Sequence, residues 1–195
     1  MRRVLFVFSI LIAGLAPFAS AQEHGQVGVY ADYLRLSQTR SNFGGLGGRL
    51  SVNTGRYLQL EGEMSYDFEQ AFTEGFTDNS TIPPTVTFQR SNLRILHGLF
   101  GPKLQTGHGP VRVFLTVKGG FMDFRLDPRP ATFGTFTSSV TDLRARNVNG
   151  VLYPGGGLDA HLGPVGLRLD VGDEIYFNNG AHHNLRVAFG PMIRF

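Results

Sequence analysis

Leu185-Arg186-Val187-Ala188-Phe189-Gly190-Pro191-Met192-Ile193-Arg194-Phe195 alternates from end to end. Leu185, Val187, Phe189, Pro191, Ile193 and Phe195 fall on one face, and Arg186, Ala188, Gly190, Met192 and Arg194 on the other. Successive side chains of a strand point to opposite sides, so this is a strand with one apolar and one more polar face. Its length matches the ~9–11 residues with which a tilted strand crosses a bilayer.

The opposite end of the sequence points to the same destination. Arg2 and Arg3 precede an apolar run from Val4 to Leu15, followed by Pro17 and the small residues Ala19-Ser20-Ala21. A charged head, an apolar centre and a small-residue cleavage site read as a secretory signal over 1–21, leaving a mature domain over 22–195. Cleavage removes the charges of Arg2 and Arg3, so the formal +3 falls to +1 and no nucleic-acid partner is expected. The absence of cysteine excludes disulfides and thiolate metal sites. No later stretch is apolar enough for a transmembrane helix, so a membrane form must be a closed barrel, which leaves no lipid-exposed sheet edge.

Working back from the C-terminus, the sequence holds eight strand-length segments punctuated by turn residues. The clearest is the third, where Leu58, Leu60, Gly62, Met64, Tyr66 and Phe68 alternate with Gln59, Glu61, Glu63, Ser65 and Asp67. The first (about 26–36), second (43–53), fifth (from 111), sixth (147–160) and seventh (from 165) alternate in the same way. The fourth, ending near Leu104, has no evident orientation, because Leu93, Ile95 and Leu99 compete with Leu96 and Phe100. Connections after the second, fourth and sixth segments are short (54–56, 105–110, 161–164), while two long ones span about 69–90 and 126–146. Short periplasmic turns opposite longer extracellular loops are characteristic of outer-membrane barrels, and an even strand count places both termini on the periplasmic side.

Alternation alone does not say which face meets what. A soluble lipocalin-like barrel would turn the same pattern inside out. Lipid is favoured by the small, sparsely charged polar face and by aromatics near strand ends (Tyr57, Tyr66, Phe68, Tyr176, Phe177), where interfacial belts lie. Pro102, Pro154 and Pro191 fall within strands, so local bulges or ladder gaps are expected there, and Pro154-Gly155-Gly156-Gly157 is the least regular stretch.

On the polar face, Glu61 and Glu63 invite comparison with a paired-carboxylate hydrolase. An eight-stranded barrel is only wide enough inside for side chains to fill it, and buried carboxylates there need partners. Arg49, Lys118, Arg168 and Arg186 share the inward parity, and Asp170 joins them, so a structural charge network of Arg49, Glu61, Glu63, Lys118, Arg168, Asp170 and Arg186 is expected. His182 and His183 face opposite ways, and His97, His108 and His161 are scattered, so no metal site is expected. His182-His183-Asn184 lacks the serine of a barrel lipase motif, and Gly155-Gly156-Gly157 lacks the helix and Lys-Ser/Thr of a phosphate loop. No catalytic residue, cofactor or enzyme activity is expected.

Gly190, Ile193 and Phe195 resemble the C-terminal assembly signal of bacterial outer-membrane barrels, with Ala188 standing where a polar residue is usual. By overall plan the mature chain resembles the outer-membrane β-barrel domain family that includes the OmpA transmembrane domain and the small OmpX-like barrels. The resemblance implies an all-β, eight-stranded antiparallel up-and-down transmembrane β-barrel in the outer membrane of a Gram-negative-type bacterium. It implies outer-membrane lipid and the barrel-assembly machinery as partners, and a structural or surface-interaction role. An external ligand at the long loops is a further expectation. A narrow pore or hydrophobic-molecule transporter is the alternative function, and a soluble secreted binding barrel the remote one.

Overall fold

Val29, Ala31 and Tyr33 lie on the outside of the first strand and Tyr30, Asp32 and Leu34 on the inside, and the same alternation recurs around the molecule. The computed structural model describes residues 25–78, 85–106, 109–127 and 148–195, and at 72–91 and 126–127 the description is of the backbone alone. The strands are β1 (Gly25–Leu36), β2 (Ser41–Asn53), β3 (Leu58–Asp78), β4 (Thr85–Gln105), β5 (Val111–Asp127), β6 (Val148–Leu162), β7 (Val165–Asp173), β8 (Ile175–Phe177), β9 (Ala181–His182) and β10 (Leu185–Arg194). Every neighbouring pair is antiparallel, and β5–β6 and β1–β10 pairings close the sheet into a barrel.

Ten segments make eight staves. β7 and β8 share one register against β9 and β10, running from Leu185↔Asp173 to Phe177↔Ala181. The break between them is bridged by the Glu174 amide, which donates to the Asn184 carbonyl at 2.7 Å. The all-β, eight-stranded antiparallel up-and-down barrel read from the sequence is the observed fold.

Both ends of the described chain meet at one rim. The Gly25 amide donates to the Phe195 carbonyl at 3.0 Å, and the Phe195 amide to the Gly25 carbonyl at 3.1 Å. The connections after β2, β4 and β6 lie at this same end. At one of them Leu162 pairs with Val165 across Gly163-Pro164, and Gly163 takes φ +63°, a backbone angle that side chains disfavour.

Prolines interrupt the ladder without shifting it. Opposite Pro191, β1–β10 pairing skips from Gly28↔Met192 to Ala31↔Phe189. At Pro102, β4–β5 pairing skips from Phe100↔Gly119 to Lys103↔Thr116, and the Thr116 hydroxyl donates to the Pro102 carbonyl at 2.9 Å. At Pro154, pairing with the seventh stave skips from Leu152↔Ile175 to Gly155↔Gly172, while β5 stays paired throughout. A missing N–H thus opens a gap of two residue pairs on one side only, and the triple glycine remains strand. The register shift is elsewhere, in β3–β4 between Asp67 and Gln70.

That bulge marks where β3 and β4 leave the barrel wall. β2–β3 pairing ends at Gly45↔Asp67, and β4–β5 pairing is described as far as Asn92↔Asp127, while β3 and β4 stay paired to Asp78↔Thr85. The connection expected over 69–90 is therefore largely a two-stranded hairpin rather than a loop. Of the second long connection, 128–147 lies outside the described residues, as do residues 79–84 and the segment 1–21 for which an export signal is expected.

Candidate functional site

Leu58, Leu60, Val113, Leu115, Leu167 and Leu169 face outward and are exposed, while Glu61 and Arg168 are buried inside. The lipocalin-like arrangement, with leucine and valine filling the interior, is not the one adopted. All eight staves contribute to the apolar exterior, Leu115 at 68 % exposure being one of its most prominent members. Soluble monomers rarely expose continuous apolar patches beyond a few hundred Å². Tyr57, Tyr66, Phe68 and Phe177 are exposed, Tyr57 and Phe177 at strand ends as expected and Tyr66 and Phe68 midway along the longer β3, but Tyr176 is not exposed. Its parity on the seventh stave turns it inward, where its hydroxyl donates to Gln38, its edge meets Phe124 and its face stacks on His182.

The interior is built in layers along the barrel axis. Nearest the terminal rim, Asp159 accepts from Lys103 Nζ at 2.9 Å and from Arg168 Nε at 2.6 Å, while Arg168 also reaches Glu61 and donates to Gln26 at 3.0 Å. In the middle, Lys118 Nζ lies 2.7 Å from Glu61, 2.9 Å from Glu63 and 3.6 Å from Asp170. Arg49 stands 3.7 Å from Glu63 and 3.6 Å from Asp170, with its guanidinium 4.3 Å over the Tyr30 ring. The Tyr30 ring in turn covers Gly47, where a Cβ would sit 2.3 Å from Cζ, so a glycine makes the notch that the ring fills. Above this, Arg186 donates to Glu63 at 2.6 Å, to both oxygens of Asp32 at 3.0 and 3.1 Å, and to the Tyr30 hydroxyl at 3.1 Å.

The structure places Arg49, Glu61, Glu63, Lys118, Arg168, Asp170 and Arg186 together inside the barrel. It adds Asp32, Asp67, His97, Lys103, Asp159 and Glu174, all buried, to the same interior. Asp32, Asp67 and Asp159 carry the inward parity of their strands and were open to detection. Lys103 and His97 sit on the strand whose orientation was ambiguous, and Glu174 in a segment read as a connection.

Toward the mouth the interior changes character. Leu34, Leu36, Phe43, Leu93, Ile95, Phe124 and Tyr176 form an apolar cluster above the charged layers. Inward Leu93, Ile95 and Leu99 therefore settle the orientation of β4, with Phe100 outside. Of the C-terminal residues, Ile193 is exposed outward and Gly190 packs tightly inside, where a Cβ would meet the Val29 carbonyl oxygen at 2.1 Å. Phe195 is half-buried, its ring edge lying over Gly25.

No protein-family model and no curated protein matches this sequence. Solved structures match the fold. Ail, the attachment invasion locus protein of Yersinia pestis, solved in complex with the heparin analogue sucrose octasulfate, is 13 % identical with a TM-score of 0.52, over 88 % of this chain and 97 % of its own. Neisserial surface protein A is 10 % identical with a TM-score of 0.50, over 88 % of this chain and 96 % of its own. The fold is thus that of small eight-stranded outer-membrane barrels, the plan that the sequence resembles.

Proposed function

We propose that this chain is an integral outer-membrane barrel of a Gram-negative-type bacterium, without enzyme activity. Its role is structural or interactive, exercised through the β3–β4 hairpin and the segment 126–146. The observation that carries this reading is the pairing of an apolar exterior on all eight staves with an interior that holds buried charges of both signs. Hydrocarbon accepts the first, and only a closed barrel lets the second remain folded there. Residues 1–21 act as a cleaved export signal, and Gly190, Ile193 and Phe195 are read by the assembly machinery. The rim holding Gly25 and Phe195 faces the periplasm, so the long hairpin projects from the cell and offers an extended surface to an external ligand.

Arg49, Glu61, Glu63, Lys118, Arg168, Asp170 and Arg186 act structurally, neutralising one another across the lumen. A lumen packed in this way gives no open path for solutes, which argues against a wide pore. Single-channel recording in planar bilayers is expected to show no stable conductance. Protease treatment of intact cells, followed by fractionation, tests location and orientation together. Cleavage confined to 69–90 and 126–146 of a membrane-fraction protein is the expected result. Cutting at the Gly55 or Gly163 turns on intact cells, or recovery in the soluble fraction, would overturn it.

A further inference from the structure

Two carboxylate clusters lie inside the barrel, and they are satisfied in different ways. Glu61, Glu63 and Asp170 surround the ammonium of Lys118, which supplies the cation that three acids need. Asp32, Asp67 and His97 form the second cluster, with no lysine at its centre. Its members come from β1, β3 and β4, and the donor atoms of all three lie within 4.8 Å of one another.

The imidazole is held in one orientation. Its Nδ1 is 2.8 Å from Glu174 Oε1, and a carboxylate only accepts, so Nδ1 carries the proton and donates it to Glu174. That leaves Nε2 directed at the cluster, where it lies 3.3 Å from Asp32 Oδ2 and 3.4 Å from Asp67 Oδ2. Ser65 Oγ lies 2.7 Å from the same nitrogen and accepts from Arg186 Nη2 at 3.3 Å. Asp32 is partnered by Arg186. Asp67 is fully buried, and neither of its carboxylate oxygens has a hydrogen-bond partner. A buried carboxylate in that condition is costly and calls for a cation at its open side.

A proton on Nε2 would serve one acceptor at a time. A metal ion serves all of them, and the spacing fits one. Nitrogen and oxygen ligands bind zinc at about 2.0–2.2 Å, so two of them at a tetrahedral centre stand roughly 3.4 Å apart. That is the separation of Nε2 from each aspartate oxygen. A carboxylate on the far ring nitrogen of a metal-binding histidine is the usual outer-shell arrangement, fixing the tautomer and the ring direction. We propose that Asp32, Asp67 and His97 bind a divalent transition-metal ion, zinc by the character of the donors. Glu174 is the orienting group, and Ser65 Oγ or water takes the fourth position. The apolar cluster of Leu34, Phe43, Leu93 and Ile95 lies mouthward of the site, so the ion enters as the barrel closes and exchanges slowly afterwards.

The test uses the mature chain refolded from urea into detergent micelles with Zn²⁺ present, dialysed, and assayed for bound metal by atomic emission. One zinc per chain is expected, with a raised unfolding midpoint relative to refolding in chelator. Asp67→Asn and His97→Gln abolish stoichiometric zinc, and Glu174→Gln weakens binding by about 10–100-fold. The double variant His182→Asn/His183→Asn removes two histidines outside the cluster and retains the metal. Wild-type barrel without stoichiometric zinc, or zinc lost from the His182/His183 variant instead, would overturn the site. Because the wild-type measurement decides on its own, misfolding of a variant leaves the result interpretable.

Discussion

Lys118 Nζ lies 2.7 Å from Glu61 Oε1, and both side chains are wholly removed from solvent. Lys118 also holds Glu63, so two carboxylates of one strand face share its ammonium. Lys118→Met leaves them adjacent and under-compensated, and removing one partner of a buried ion pair costs about 3–5 kcal/mol. Urea titration of the barrel refolded in lipid vesicles is expected to show a loss of this size. Lys118→Met/Glu61→Gln recovers part of it, because one of the stranded charges is gone.

The apolar exterior makes a different demand. Leu115 projects outward from the closed wall, where β5 pairs with both β4 and β6, at 68 % exposure. Leu115→Arg is expected to destabilise the barrel by about 2–4 kcal/mol in vesicles, the cost of an arginine at the bilayer midplane. In a barrel surrounded by water the same change would be close to neutral. Equilibrium unfolding of the variant therefore separates the two surroundings.

The β3–β4 hairpin is dispensable for closure. β2 does not flank it beyond Asp67, and among the described residues its rungs beyond Asn92 are shared with no other stave. Replacing 70–91 with an Asn-Gly turn should leave the migration of unboiled, folded protein on gels unchanged. If the surface-interaction reading is right, the shortened barrel loses binding to whatever ligand the full chain captures at the cell surface.

Phe195→Ala separates assembly from stability. The Phe195 side chain is half-buried at the rim, while its backbone closes the seam with Gly25 through hydrogen bonds that alanine retains. Refolding into detergent should proceed, whereas the amount of barrel reaching the membrane in cells should fall. Equal loss in both assays would assign the aromatic a purely structural role.

Period-two alternation made the staves legible wherever one face was apolar and the other polar. β3 and β10 show this best, because the Glu61–Asp67 and Arg186–Arg194 faces contrast with their leucine, phenylalanine and isoleucine neighbours. β4 resisted because its mouthward half has apolar residues on both faces. Leu93 and Ile95 build the internal cluster, and Phe100 joins the exterior. Tyr176 was misplaced for a related reason, since an aromatic near a strand end serves an interior cap as well as an interfacial belt. Asp32, Asp67 and His97 meet only through the registers of β1, β2, β3 and β4, which no spacing in the chain encodes. Chain separation hides such a cluster even when each member's parity is known.

Gly25 and Phe195 pair through the same reciprocal amide–carbonyl exchange that joins any two staves, so the wall has no privileged first or last member. A circularly permuted gene, with a short linker joining Phe195 to Gly25 and new ends opened at Gly55, would encode the same cylinder. It would also move Phe195, to which the proposed function gives a role in assembly, into an internal turn. The geometry of the closed wall does not by itself dictate which stave is made first.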